Sequence, residues 1–257
     1  MNLESAIKFH SPKSPNYTAT TPATASEALT GTEVMAAMGM AQSRAEMGYS
    51  AFLGKMGISK HDSDRAITLL TQHALKTCDR VAALRKLGSD NKPAVMQVLA
   101  TYAYLDYCRS AASVKSCECC SGAGFIDAEV FTMKSPLAGG IKRNVREVVR
   151  VRCKPCEGRG LVSTACIKCR GRGEALDRAE TERQGVPVKR SCKQCSGRGY
   201  ERLPAAEAYR ALCAVTDAIT STVWDRAVKP FYESLSVHLE KEESYADRML
   251  GAVTRKF

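Results

Sequence analysis

Four copies of one octet, Cys-x-x-Cys-x-Gly-x-Gly, lie between Cys117 and Gly199, and their residue types and spacing suit metal chemistry. They read Cys117-Glu-Cys-Cys120-Ser-Gly122-Ala-Gly124, Cys153-Lys-Pro-Cys156-Glu-Gly158-Arg-Gly160, Cys166-Ile-Lys-Cys169-Arg-Gly171-Arg-Gly173 and Cys192-Lys-Gln-Cys195-Ser-Gly197-Arg-Gly199. Two thiolates two residues apart reach one tetrahedral Zn²⁺ from a tight turn, and the glycines that follow allow the backbone to wrap the ion with φ > 0. Each octet is therefore half a site, and four halves make two Zn²⁺ sites per chain. With four thiolates apiece the sites have no open position for a catalytic water, which makes them structural.

Four halves allow three pairings. Only nine residues separate Cys156 from Cys166, which favours local closure of the middle octets and a nested arrangement. One site would then be Cys117, Cys120, Cys192 and Cys195, and the other Cys153, Cys156, Cys166 and Cys169. Cys119 is a spare thiol beside Cys120, while Cys78, Cys108 and Cys213 fall in helical patterns as small buried hydrophobes. The histidines His10, His61, His73 and His238 lack metalloprotease spacing, and there is no phosphate-binding glycine loop or Gly-x-Ser-x-Gly elbow. Nothing in the chain reads as an enzyme active site.

The elements that must position these cysteines are helical on both sides. Residues 11–30 are rich in Ser, Thr, Ala and Pro, so 1–31 reads as a flexible arm. Residues 32–116 read as helices. Val34, Met35, Met38 and Met47 line one side of the first, and Asp62 or Ser63 caps a second that runs to about Leu87. Pro93 opens a third, with Tyr102, Tyr104, Leu105 and Tyr107 in its apolar face. Residues 117–199 form the cysteine module, with a turn at Pro136–Gly140 and a strand or two near Val145–Val151. From 200 to 257 the chain is helical again. One helix starts at Pro204, another near Val223 contains Pro230, and a last amphipathic segment spans Glu243–Val253. The expected fold class is mainly α: a helical body, a helix-turn-helix-like C-terminal part and an inserted small zinc module with short β-strands.

The net charge is +11, and its placement is uneven. Lys plus Arg against Asp plus Glu is 4 to 4 in residues 1–57, 9 to 5 in 58–116, 17 to 9 in 117–199 and 8 to 9 in 200–257. A basic field of this kind suits a partner rich in phosphate. No apolar stretch approaches the ~20 residues that span a bilayer, and no signal peptide is evident, so the expected compartment is the cytoplasm, with paired thiols serving metal rather than disulfides.

The octet resembles the cysteine-rich zinc module of DnaJ-type co-chaperones, but the resemblance stops there: His61-Asp62-Ser63 lacks the proline of a J-domain loop, and no Gly/Phe-rich linker follows. Elsewhere the chain resembles the lambda-type Q late antitermination proteins of lambdoid phages. The similar strings are Leu3-Glu-Ser5, Lys8-Phe-His-Ser-Pro-Lys-Ser-Pro15, Val34-Met-Ala-Ala-Met-Gly-Met-Ala-Gln-Ser43, Val98-Leu-Ala-Thr101 and Asp106-Tyr-Cys-Arg-Ser-Ala-Ala112. Further matches are Ala208-Tyr-Arg-Ala211, Val228-Lys-Pro230, Lys241-Glu-Glu-Ser244 and Ala252-Val-Thr-Arg255. The resemblance implies that the lambda protein carries two octets and one zinc, its pair matching the first and last octets here, with the middle pair inserted.

It further implies a non-enzymatic factor that binds double-stranded DNA at the phage late promoter and loads onto the paused, sigma-containing RNA polymerase in the host cytoplasm. It would then ride through pauses and terminators beside the nascent RNA. The helix pair from Pro204 to about Val237 has helix-turn-helix proportions, so Thr222, Arg226 and Lys229 are candidates for base contacts and Arg210 for phosphate. Arg143, Arg146, Arg150 and Arg152 form a second basic surface for nucleic acid or polymerase. The rival readings are a zinc module that binds unfolded polypeptide and a zinc-bearing RNA-binding protein.

Overall fold

The computed structural model describes residues 2–10, 31–134 and 143–254. Most of the expected arm and the Pro136–Gly140 turn lie outside them. In chain order the elements begin with α1 (Leu3–His10), α2 (Gly31–Arg44), α3 (Glu46–Lys55), α4 (Lys60–Thr77), a short 3-10 turn Cys78–Arg80, α5 (Ala82–Arg85) and α6 (Asn91–Tyr107). The strands β1 (Val114–Ser116), β2 (Phe125–Lys134), β3 (Arg143–Arg152), β4 (Leu161–Ser163) and β5 (Glu174–Leu176) follow, then α7 (Arg178–Gln184) and β6 (Lys189–Ser191). The chain ends in α8 (Ala205–Cys213), α9 (Ser221–Val223), a π-turn Trp224–Val228 and α10 (Lys229–Thr254). Two compact units result, one made of the chain up to Cys108 with Leu203 onward, the other of Arg109–Arg202. No described helix is long and apolar enough to cross a membrane.

The first unit is helical throughout its described elements. Ala66, Leu70 and Ala74 of α4, Val95, Leu99 and Ala103 of α6, Ala208 and Leu212 of α8 and Tyr232, Leu235 and Leu239 of α10 share one buried cluster. A second cluster joins Leu3 and Ala6 of α1 to Val34, Ala37 and Ala41 of α2, Tyr49 and Phe52 of α3 and Ala246 and Leu250 of α10. The start of the expected arm is thus a docked helix, and the Leu3 N–H donates to Asp247 at 2.8 Å. The buried stripe of α2 is Val34, Ala37 and Ala41, with Met38 partly buried against it and Met47 of α3 packed on the first cluster, whereas Met35 is 57% exposed. Small residues let α-helices approach closely. At Gly48 of α3 a Cβ would run into the Glu242 carbonyl of α10.

Other boundaries also differ from expectation. The cap of α4 is Ser59, whose Oγ accepts from the Asp62 N–H at 3.2 Å, and the helix stops at Thr77 instead of continuing to Leu87. Tyr104 and Tyr107 are buried as expected, whereas Leu105 is 47% exposed. Cys213, the last residue of α8, is exposed rather than buried. Pro230 lies in the first turn of α10, which begins at Lys229 directly after the π-turn, one of the two outcomes the sequence left open. Proline lacks an N–H and crowds the carbonyl four residues back; the preceding turn widens to a π-turn, and the backbone continues as α10 to Thr254 without the break expected before Glu243.

Asp106 fixes the point at which the chain leaves and re-enters this unit. Its buried carboxylate accepts from the Leu203 N–H at 2.8 Å and from the Ser236 hydroxyl at 3.2 Å. The end of α6, the returning chain and α10 are held through one side chain, a junction that the sequence reading missed.

Candidate metal centres

Arg109–Arg202 contains three two-stranded antiparallel pairs, β1 with β4, β2 with β3 and β5 with β6, and an isolated bridge between Ala165 and Tyr200. Their registers decide which octets meet. The ribbon β2–β3 pairs Phe125 with Arg152, so the first octet, which precedes β2, lies beside the second, which follows β3. The pair β5–β6 matches Glu174 with Ser191 and brings the third octet to the fourth in the same way. Each set is closed at its other end, by β1–β4 in the first lobe and by the Ala165–Tyr200 bridge in the second.

The cysteines accordingly assemble as Cys117, Cys120, Cys153 and Cys156 in one tetrad and Cys166, Cys169, Cys192 and Cys195 in the other. The nested pairing is corrected. Proximity along the chain favoured the middle octets, but antiparallel pairing of the segments that link first to second and third to fourth prevails. All eight octet cysteines fall in the two tetrads, and Cys119 is exposed and belongs to neither.

The two lobes repeat one hydrogen-bond scheme. In the first, the Cys117 N–H donates to the Gly160 carbonyl at 2.8 Å and the Cys153 N–H to the Gly124 carbonyl at 2.9 Å. In the second, Cys166 donates to Gly199 at 2.8 Å and Cys192 to Gly173 at 2.7 Å. The last glycine of each octet has positive φ and lies where a Cβ would collide with the paired octet: Gly124 with the Gly158 carbonyl, Gly173 with that of Gly197. That double constraint explains the final glycine, since conformation and space each exclude a side chain.

The sulfur geometry fits a tetrahedral ion. Cys117 and Cys153 Sγ are 3.8 Å apart, Cys120 and Cys156 3.7 Å, Cys166 and Cys192 3.9 Å, and Cys169 and Cys195 3.7 Å. Four sulfurs each ~2.3 Å from a Zn²⁺ define a tetrahedron with edges of about 3.8 Å. A disulfide would need ~2.05 Å, and all twelve cysteines are free. Backbone N–H groups point at the sulfurs, Gly124 to Cys120 at 3.2 Å, Gly173 to Cys169 at 3.3 Å and Gly199 to Cys195 at 3.2 Å. Such donors stabilise thiolate charge, which is what a metal ligand must carry.

The thiols within each lobe are uneven. Burial raises Cys156, but the N–H groups of Gly160 and Gly158 and the neighbouring Cys153 and Cys120 thiols outweigh it and bring its pKa down to about 7. Burial pushes Cys153 up. In the other lobe the backbone N–H of Cys195 leads in lowering Cys192 to about 7, while burial raises Cys195 to about 11. A four-thiolate site needs every thiol of its lobe ionised, so metal capture would release the protons these thiols hold.

Charge separates the units more sharply than the sequence segments do. Residues 109–202 carry 20 Lys and Arg against 10 Asp and Glu, or +10, and the remainder carries 18 against 17, or +1. The two tetrads also differ. The variable octet positions hold Glu118, Lys154, Glu157 and Arg159 around the first, with no net charge, but Lys168, Arg170, Arg172, Lys193 and Arg198 around the second, with no acid.

Of the expected basic surface, Arg143 starts β3, and Arg146 and Arg150 are exposed on it. Arg146 pairs with Glu129, and the Arg150 guanidinium lies 5.3 Å from the centre of the Phe125 ring. Arg152 is committed differently: its Nε–H donates to the Glu157 carbonyl within the second octet. In the helical unit, Arg210 is exposed on α8, Thr222 on α9 and Arg226 in the π-turn, while Lys229 is half-buried at the start of α10. Trp224 and Val228 face inward from the same turn, with the Trp224 ring 5.4 Å from Tyr209 and 6.0 Å from Tyr232. The seven residues 214–220 between α8 and α9 exceed the three or four of a tight helix-turn-helix.

The family model described as antitermination protein Q matches residues 23–111 and 160–247. Antitermination protein Q of Escherichia phage lambda is 42% identical over 255 residues, covering 99% of this chain and 100% of that protein. The corresponding protein of Escherichia phage HK022 is 41% identical over 255 residues with the same coverage. A prophage antitermination protein Q homolog of Escherichia coli strain K12 is 38% identical over 257 residues, covering 99% and 100%. The matched spans contain Cys166, Cys169, Cys192 and Cys195 and leave out 112–159, where the whole first tetrad lies. The family pattern therefore corresponds to the third and fourth octets, not to the first and last.

Proposed function

We propose, since the chain belongs to the antitermination protein Q family, that it is a phage antitermination factor acting on transcription of late genes in the bacterial host. It binds double-stranded DNA at the late promoter, joins the paused RNA polymerase with its sigma factor and carries the enzyme past pauses and terminators, close to the emerging RNA. The observation that carries this reading is the full-length match to antitermination proteins. The concentration of +10 in the metal-binding unit supports the DNA step, because neutralised phosphates release counterions and drive association. Two Zn²⁺ ions fill the cysteine tetrads and act structurally, four thiolates leaving no site for substrate.

In this reading α8 and the segment from α9 into α10 approach the DNA. Thr222 and Arg226 present toward base edges, Lys229 supports that surface and Arg210 meets phosphate. The aromatic packing of Trp224 holds the π-turn so that Arg226 projects outward. A single-round transcription assay tests the proposal, with bacterial polymerase and sigma on a template carrying this phage's late promoter ahead of an intrinsic terminator. Read-through that needs both the protein and an intact promoter element supports it. Metal-loaded, folded protein that leaves termination unchanged would refute it. Arg226→Ala is expected to weaken specific binding by about 1–3 kcal/mol with little change in non-specific binding, and equal losses in both would remove Arg226 from base readout.

A further inference from the structure

The first metal lobe contains a ribbon that its metal site does not require. Strands β2 and β3 pair along ten residues each, a length of roughly 34 Å. The second lobe closes an equivalent tetrad with three-residue strands, β5 and β6. Among the described side chains of β2 and β3 none is buried. Only the base of the ribbon is covered, where Ile126 packs at the first tetrad; a long two-stranded ribbon gains little stability by itself, and its exposed side chains are free to meet a partner.

Alternation along the strands puts Asn144, Arg146, Val148, Arg150 and Arg152 on one face with Phe125, Asp127, Glu129, Phe131 and Met133. Phe131 is 76% exposed and Met133 64%. Arg150 is held over Phe125, and Arg146 is paired with Glu129 only at an exposed position, where an ion pair contributes little and exchanges readily for another anion. The acids of this face each lie near an arginine: Asp127 stands opposite Arg150 in the register.

We propose that this face of the β2–β3 ribbon is an additional contact for duplex DNA, made through Asn144, Arg146 and Arg150, that grips the backbone without reading sequence. It rests on the reading of the chain as a DNA-bound antiterminator and adds a surface to it. Two points favour DNA, and a third makes the contact additional to the family pattern. The ribbon belongs to the unit that holds +10 of the chain's +11. A two-stranded ribbon has the cross-section that a B-DNA major groove accepts. Its strands also fall within 112–159, which the family model leaves out, so the contact supplements the family's common machinery.

The test is the salt dependence of binding to a random-sequence duplex, for the full chain and for the double variant Arg146→Ala/Arg150→Ala, with two metals per chain verified in both. Each lost phosphate contact lowers the slope of log K against log salt by about 0.9. The variant is therefore expected to lose about 2 in slope, and Arg146→Lys/Arg150→Lys to keep most of it. An unchanged slope in the alanine variant would overturn the proposal while leaving the DNA-bound reading intact. An unchanged slope with weakened capture of purified RNA polymerase would overturn it in favour of a protein contact. Absence of any binding by the full chain would defeat both readings together.

Discussion

The helical unit and the metal unit solve the same problem with different materials. The first buries a continuous apolar cluster running through α4, α6, α8 and α10. In the second, the buried clusters consist of the cysteines themselves, with Ile126, Val162 and Ala175 at their margins. A segment with so little apolar burial cannot offset the entropy of ordering its chain; metal–thiolate bonds at the two tetrads would supply what the core lacks. The same division separates charge, since the nearly neutral unit has the oily interior and the unit with the tetrads carries +10 from its Lys, Arg, Asp and Glu side chains. A tetrathiolate centre holding a divalent ion would carry a net charge of about −2, which suits an arginine-rich exterior.

Metal removal should break that comparison most forcefully. Structural Zn²⁺ sites supply on the order of 10–16 kcal/mol of apparent binding energy at neutral pH. A strong chelator is therefore expected to abolish amide protection in β1–β6 while the protected amides of α4, α6 and α10 persist, as followed by hydrogen exchange. Equal loss in both units would mean that the helical unit depends on the metal. Cys166→Ser should reduce bound metal from two to one per chain by mass spectrometry and leave the first tetrad loaded, because the two sites share no ligand.

Two local substitutions sharpen the contrast. Asp106→Ala removes a buried acceptor from Leu203 and Ser236 and should destabilise the helical unit by about 3 kcal/mol, with metal content unaffected. Gly160→Ala meets both a positive φ and the Gly122 carbonyl. It should cost at least about 1–2 kcal/mol and weaken metal retention at the first tetrad alone, measured by competition with a chromogenic chelator.

The sequence exposed some of this and concealed the rest for identifiable reasons. The eight octet cysteines were legible because thiol spacing is a local property, and each of them falls in one of the two tetrads. Their partition was not legible, because it depends on β2–β3 and β5–β6 pairing across linkers of different length. The helix around Pro230 was located but not its continuity, which depends on a π-turn that forms from ordinary residues, Trp224 to Val228. Asp106 stayed hidden because a carboxylate on an apolar helix face has no sequence signature until Leu203 and Ser236 are brought to it. Arg152 looked like its neighbours on β3, yet it is spent on the Glu157 carbonyl.

The smallest effect expected is a response of the helical unit to acid, and it separates that unit's interior from the thiol chemistry of the other. His73 and His238 stack with ring centroids 3.7 Å apart. Burial lowers the pKa of His73, its neighbour His238 and the cations Arg80 and Lys76 lower it further, and Glu242 opposes them. Burial and Lys241 lower His238. The folded state therefore favours neutral rings, and the unfolded chain binds protons first as pH falls through the ordinary histidine value of about 6.5. This contribution is complete above that value and is lost progressively between it and the lower folded pKa values. The metal unit also weakens in acid, as protons compete for its thiolates. His238→Gln should therefore flatten only the acid dependence of helical-unit unfolding, followed by the fluorescence of Trp224, and leave the pH of metal release where it was. A parallel shift in metal release would show that the two responses share a cause.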